Sequence, residues 1–574
     1  MHTQFHSITL ALTLAFGGGL AAAAPAKVAD AIYYGGDIVT INDQQPTAEA
    51  LAVKGGVILA VGSRAELGKL KGKQTKMVNL HGQTLLPAFL DAHSHYINSL
   101  TVASQLNLYA PPAGPAKDVP SIVAELKKFA AEKKIKKGEL IQAYGYDDTA
   151  MPEGRLLNRD DLDAALPNNP VIVHHVSMHG GVLNSLALKK FNINADTKTP
   201  EGGIIVRKEG TNEPYGLIME TAFIPVFGQL PKPTTDKEIA AATRAGQMLF
   251  AQTGITTAHE GASHEGDIVV MQKAAKLGAN IIDVIAFPFM TDMEKVLKTN
   301  PPATFGKYHN RFKLGGIKVT IDGSPQGRTA FFTTPYLNGG PGGEQDWKGE
   351  PTIPAELTNK VVKRVYDLGL PLNLHANGDA AIDQFIAAHE FAAAGSLDKD
   401  RRTTVIHSQF VRKDQLGKYA QYKIIPSMFT LHTFYFGEAH KANRGMEQAS
   451  YISPMRDAID RGITVTNHTD FVVVPLDQMF MLWSAVNRVS RGGEVFGAEQ
   501  RITPLEGLKA MTINVAYQYR EEDKKGSLET GKLADLVILD QNPLKVEPMA
   551  IKDIKVVETI KEGKTIYRRA KQAK

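Results

Sequence analysis

Eight short apolar runs recur through the middle of this chain, and most intervals between them are Ala-rich, charged and spaced like helices. The runs are "TLLPAFLDAHSH", "GITTAHEG", "ANIIDVIAFPF", "GGIKVTIDGS", "LPLNLHANGD", "RTTVIHSQF", "KIIPSMFT" and "GITVTNHTD". Segments such as "TNKVVKRVYDLG" and "DAAIDQFIAAHEFAAAG" separate them. Strands alternating with helices predict parallel βα units, and eight such units can close a (β/α)8 TIM barrel. A chain of 574 residues is long enough for that barrel and additions to it.

The additions are legible at both ends. Short β-like runs with turns fill 27–85, and "DLVILD" and "IKVVETIKEGKTIYRR" repeat that texture in 516–574. One small β-sandwich built from both termini is expected, flanking a barrel over 86–515. Residues at about 98–231 exceed the βα count and carry a strand of their own, "NPVIVHHVSMHG", so they read as an insertion after the first barrel strand. The first 26 residues hold no Lys, Arg, Asp or Glu, and an apolar run there ends in small residues. That pattern predicts a signal peptide and a periplasmic or secreted protein.

Composition removes several function classes. With no cysteine, disulfides, thiolate metal sites and a cysteine nucleophile are all excluded. A net charge of +5 (65 basic minus 60 acidic) and no dense basic run beyond "KKFAAEKKIKK" give no sign of nucleic-acid binding. The expected partner is a small-molecule substrate, with no membrane contact once the leader is removed. A homo-oligomer stays open.

Chemistry on such barrels sits at the C-terminal ends of the strands. There the sequence offers His93 and His95 on strand 1, Lys318 on strand 4, His375 on strand 5, His407 on strand 6 and Asp470 on strand 8. His93 and His95 are one residue apart, so in a strand both imidazoles face the same side. Imidazole and carboxylate converging on one rim read as metal ligands. His179, His432 and Arg328 are weaker candidates for substrate contact; for Arg328 a loop salt bridge is the alternative. Gly378 and Asp379 suit a tight turn and a helix N-cap.

Read with "HGGVLNSLAL", "IKVTIDGSPQGRTA", "LHANGDAAID", "VIHSQF" and the tail "TINVAYQYREEDKKGSLETGKLADLVILD", the chain resembles the amidohydrolase superfamily. It is most similar to the branch containing N-substituted formamide deformylase. The resemblance implies that His93, His95 and Asp470 bind a buried metal. It implies that Lys318, carbamylated by CO2, bridges two divalent ions, with zinc the default, and that His375 and His407 hold the second. It further implies hydrolysis of an amide or N-formamide C–N bond by hydroxide attack, with Asp470 shuttling the proton. Hydrolysis of esters, lactones or cyclic amides at the same site is the nearest rival, and a silent binding or regulatory relative is another. "NHTD" stands where the family often has Gly-Ser-Asp, which leaves His468 to be explained.

Overall fold

A computed structural model describes residues 28–152, 155–177 and 179–570 of the chain. The leader expected at 1–26 lies outside these residues. Among them, no helix is long and apolar enough to cross a membrane.

The two ends of the chain meet in one sheet. Strands Ala31–Val39, Thr47–Lys54, Val57–Gly62 and Thr84–Pro87 are hydrogen-bonded in line with Leu536–Leu539, Val556–Lys561 and Lys564–Arg568, and Lys76–Asn79 branches from the first of them. The seam is antiparallel, with Leu85 opposite Ile538. The hydrogen bonding makes this one continuous eight-stranded sheet rather than two separate ones. Tyr33, Leu51, Leu85, Leu536 and Ile560 nevertheless share a single core. Alternation puts such residues on one face, so the sheet must curl over them.

The middle of the chain forms two arcs of parallel strands in chain order. Phe89–Leu90, Ile255–Ser263, Asp283–Pro288 and Phe312–Leu314 make the first. Ile317–Thr320, Leu372–Ala376, Thr404–His407, Ile425–Met428 and Thr466–Asn467 make the second. A bridge between Phe289 and Lys318 joins the arcs on one side. On the other, the Asp470 amide donates to the His93 carbonyl (3.1 Å) and the His95 amide to the Phe471 carbonyl (2.7 Å).

The run expected as the fourth strand begins at Gly315 and forms Ile317–Thr320; a short strand ahead of it, Phe312–Leu314, was not expected. A side chain at Gly316 would lie 2.2 Å from the Pro371 carbonyl oxygen, and one at Gly315 would lie 2.6 Å from the Phe287 ring. Glycine permits this close approach and separates Phe312–Leu314 from Ile317–Thr320.

Helices cover the arcs for ordinary sequence reasons. In Asp236–Ala251, Thr235 and Glu238 form a reciprocal capping box, and Ile239, Thr243, Gln247 and Phe250 recur at helical spacing on the buried face. The helix after the fifth strand corrects one expectation. Its N-cap is Gly378, while Asp379 is the first helical residue and accepts instead from the Thr333 amide (2.9 Å) and pairs with Arg412 (3.1 Å).

The insertion is larger than its one expected strand. It carries six strands in one sheet, from Leu106–Asn107 to Pro214–Glu220, around a core that includes Leu108, Ile122, Leu126, Val171 and Val173. The Tyr109 hydroxyl reaches across to donate to the Val472 carbonyl at 2.6 Å, so the insertion rests on the rim just beyond Asp470.

Candidate metal centre

Asp470 sits immediately after the last strand and points into a cluster of imidazoles. Its Oδ1 lies 3.3 Å from His95 Nε2 and 3.4 Å from His93 Nε2, and its Oδ2 lies 3.9 Å from His407 Nε2. The Lys318 amine lies 3.3 Å from His93 Nε2. His375 joins through His407, its Nδ1 being 3.1 Å from His407 Nε2. All six residues expected at the strand ends are therefore in one cluster. Among the described residues, His93, His407 and Asp470 offer ligand atoms that all lie within 4.8 Å of one another.

The donor set fits a divalent cation. Two ligands each about 2.1 Å from a tetrahedral ion lie roughly 3.4 Å apart, which matches the spacing around Asp470 Oδ1. That oxygen is buried, and although histidine nitrogens surround it, no donor is directed at it. A buried carboxylate oxygen without a hydrogen bond is costly unless something else satisfies it. His407 and Asp470 adopt left-handed backbone conformations, with φ of 73° and 53°. Such conformations cost about 1–3 kcal/mol each and persist where the surroundings hold them.

Electrostatics favour neutral imidazoles beside an anion. Burial, with Lys318 and His259 nearby, holds His93 far below the usual imidazole range; burial, with His375 and His468 nearby, does the same for His407. Burial alone would raise Asp470, but His95 beside it keeps the carboxylate below its ordinary range. His95 moves the other way: the Asp470 carboxylate overcomes the effect of burial and raises it. The carboxylate thus draws positive charge to this point. Burial pulls the Lys318 amine down to about 8, against Asp470 and Glu260, which raise it.

Sequence reading passed over the supporting shell. Asp322 stands 3.4 Å from His375 Nε2 and accepts the amides of Asn377 (2.9 Å) and Gly378 (2.8 Å), tying the fifth strand's end to the fourth's. Glu260 accepts the Ile97 amide at 2.6 Å, which fixes the turn after His95. Gly261 is there for space, because a Cβ would fall 2.3 Å from His93 Cε1. His259 and His468 lie behind His93 and His407. The hint for His468 was its place two residues before Asp470, on the same strand face.

The weaker candidates separate. His432 is buried, packed on Phe429 and stacked on His440, with Nδ1 2.9 Å from His440 Nε2. His179 is exposed on the insertion and pairs with Glu220 (3.0 Å). Among the described residues Arg328 makes no salt bridge; it donates to the carbonyls of Asn338 and Gly339 and so closes its own loop.

A cavity of about 1040 Å³ lies at the opposite ends of the strands, against Asp283, Tyr308, Lys313 and Lys525. Donor chemistry, not volume, locates the site, since barrels of this type react at the C-terminal ends.

Residues 76–567 match the model of the amidohydrolase family. The chain belongs to that family. Among its relatives, the YtcJ protein of Bacillus subtilis is 25% identical over 561 residues, covering 94% of this chain and all of that one. The N-substituted formamide deformylase of Arthrobacter pascens is 23% identical over 560 residues, covering 95% and 99%. A solved metal-dependent hydrolase of Pyrococcus horikoshii superposes with a TM-score of 0.69 at 22% identity, covering 90% of this chain and 99% of its own. By family this amidohydrolase is a hydrolase, and its fold is an α/β metal-dependent hydrolase fold.

Proposed function

We propose that this chain is an exported amidohydrolase that cleaves a C–N bond, of amide or N-formamide type, in a small molecule. Its two parallel arcs are read as one closed (β/α)8 barrel over 86–515, with the insertion at about 98–231 and the flanks 27–85 and 516–574 forming the β domain. The observation that carries the reading is Asp470 Oδ1, buried and without a hydrogen bond among histidine nitrogens. Full-length similarity to a formamide deformylase supports the bond type.

His93, His95 and Asp470 would hold one divalent ion, and His375 with His407 a second, zinc suiting the nitrogen and oxygen donors best. Bound there, the ions would polarise the scissile carbonyl and lower the pKa of a bound water to about 7. Lys318 would bridge them as its carbamate, formed when the neutral amine adds CO2 and loses a proton. Burial makes that neutral amine accessible near neutral pH. Asp470 takes a proton from the attacking water as its oxygen adds to the carbonyl carbon. It returns that proton to the nitrogen as the C–N bond breaks, so a carboxylic acid and an amine leave. His432, at the rim, is read as a substrate contact.

The test is a metal-replete activity screen across N-formyl amines, N-acyl amines, lactones and cyclic amides. Turnover of the first two supports the reading. Turnover of lactones alone would move it to the ester-type rival, and none at all with metal bound would favour a silent relative.

A further inference from the structure

His375 has a carboxylate behind it, whereas His93 and His407 have other histidines. His93 Nδ1 lies 3.3 Å from His259 Nδ1, and His407 Nδ1 lies 3.2 Å from His468 Nε2. The outer nitrogens are engaged in turn. His259 Nε2 lies 3.0 Å from the Asn373 side-chain amide, and His468 Nδ1 lies 2.9 Å from Ser427 Oγ. All four rings are buried; His259 and His407 lie on strands, and His93 and His468 lie just past the ends of theirs.

Resting on the ligand reading above, Nε2 of His93 and of His407 must offer a lone pair to an ion, so each Nδ1 must carry the hydrogen. The direction of both relays then follows. His93 Nδ1–H donates to His259 Nδ1, which the Ser94 amide also approaches at 3.4 Å. His259 therefore carries its hydrogen on Nε2 and donates it to Asn373, whose amide must present its oxygen there. In the same way His407 Nδ1–H donates to His468 Nε2, and His468 Nδ1–H donates to Ser427 Oγ.

We propose that His259 and His468 are positioning residues that fix the tautomer and ring plane of His93 and His407 for metal binding. Neither ligates, because both nitrogens of each are already used. Partners of this kind commonly change metal affinity about 10–100-fold when removed. A neutral imidazole adds no negative charge, unlike Asp322 behind His375. The two buried ligands are thereby kept less basic, and the ion each one holds polarises more strongly than with a carboxylate partner.

The test uses the full-length protein, stripped of metal and titrated with Zn2+ against a chromophoric chelator and with Co2+ by visible absorption. His259→Leu should weaken the site that His93 forms with His95 and Asp470, and His468→Leu the site that His407 forms with His375, each about 10–100-fold and each with a shift of the Co2+ bands. His468→Gln, which keeps a neutral acceptor, should recover most of that loss. If a leucine variant does not fold, Ser427→Ala and Asn373→Leu still decide: each should loosen the ion by a smaller factor. Wild-type affinity and an unshifted Co2+ spectrum in folded variants would overturn the proposal. Loss of one nitrogen donor in the X-ray absorption of His468→Leu would overturn it by making His468 a ligand. A wild-type protein that takes up no divalent ion would overturn the ligand reading itself.

Discussion

Both ends of the parallel strands bury charge, and they treat it in opposite ways. At the N-terminal ends, Asp283 meets Lys525 (2.7 Å), Lys561 (2.8 Å) and Arg311 (3.2 Å). Lys561 also meets Asp535 (2.7 Å), and Glu521 meets Lys525 (2.7 Å) and Lys313. Every carboxylate there has an ammonium partner, and the network ties the arcs to the sheet made by the termini. At the C-terminal ends, Asp470 faces the nitrogens of His93, His95 and His407 instead, and burial holds His93 and His407 neutral. Charge that is fully paired holds the architecture; charge left open is available to a ligand.

The largest effect should fall on the open end. Lys318→Ala removes the group proposed to bridge two ions, so turnover should drop by more than about 10⁴-fold, beyond the range of a single acid–base group. One ion should remain where the wild type holds a pair, with the circular dichroism unchanged. Short carboxylates added in solution should restore part of the rate by filling the vacated space. Metal analysis finding two tightly bound ions in this variant would break the contrast between the ends.

Asp470→Asn comes next. Asparagine keeps the shape and an oxygen for the ion but cannot carry a proton, so kcat should fall about 10²–10⁴-fold with KM little changed. Metal content has to be measured beside the rate, because losing the negative charge also weakens the buried site. Undiminished kcat at full occupancy would move the proton shuttle elsewhere, with His432 the next candidate.

At the paired end the same kind of change should act on folding instead. Asp283→Ala strands Lys525 and Lys561 with one partner fewer in a buried setting, a cost of about 3–5 kcal/mol. Denaturant titration should show that loss, while the folded fraction keeps wild-type Zn2+ affinity. A weakened metal site with undiminished stability would reverse the assignment of the two ends.

The smallest effect is in acid. Burial would raise Glu521, but Lys525 and Lys313 hold it at about 2, below its ordinary 4.5. Its folded-state pKa is depressed, so its stabilising contribution is present above pH 4.5 and is lost as pH falls through about 2. Lys525 is held well above its ordinary range while burial pulls Lys313 down, but neither lysine titrates in acid, so within this network Glu521 and Asp283 carry the acid dependence. Denaturant midpoints should fall steadily across that window, and a Glu521→Gln variant should fall less steeply.

The strands and their reactive ends were legible because each is a local pattern: an apolar run, eight times over, with a candidate ligand on five of them. The pairings were not. His259 and His468 stand inside ordinary strand text, and only the neighbouring strands' geometry puts them behind His93 and His407. Asp322 was overlooked for the same reason, since its partners Asn377 and Gly378 come from the next strand's end. The insertion's sheet was mostly unread because its strands are short and mix exposed with buried positions, as in Gly203–Arg207. Asp379 has the composition of a cap, but Thr333 and Arg412, from distant parts of the chain, claim its carboxylate.

The seam between Thr84–Pro87 and Leu536–Leu539 has a consequence for how the protein is made. At about 5–20 residues per second, a ribosome needs roughly half a minute to two minutes for a chain of this length. For most of that time, once it has been made, Thr84–Pro87, wholly buried in the finished sheet, waits with an unpaired edge for the last segment to emerge. Its backbone donors and acceptors form a template that any passing strand could take. A chain that loses its final forty or so residues would keep every candidate metal ligand and still be left holding that open edge.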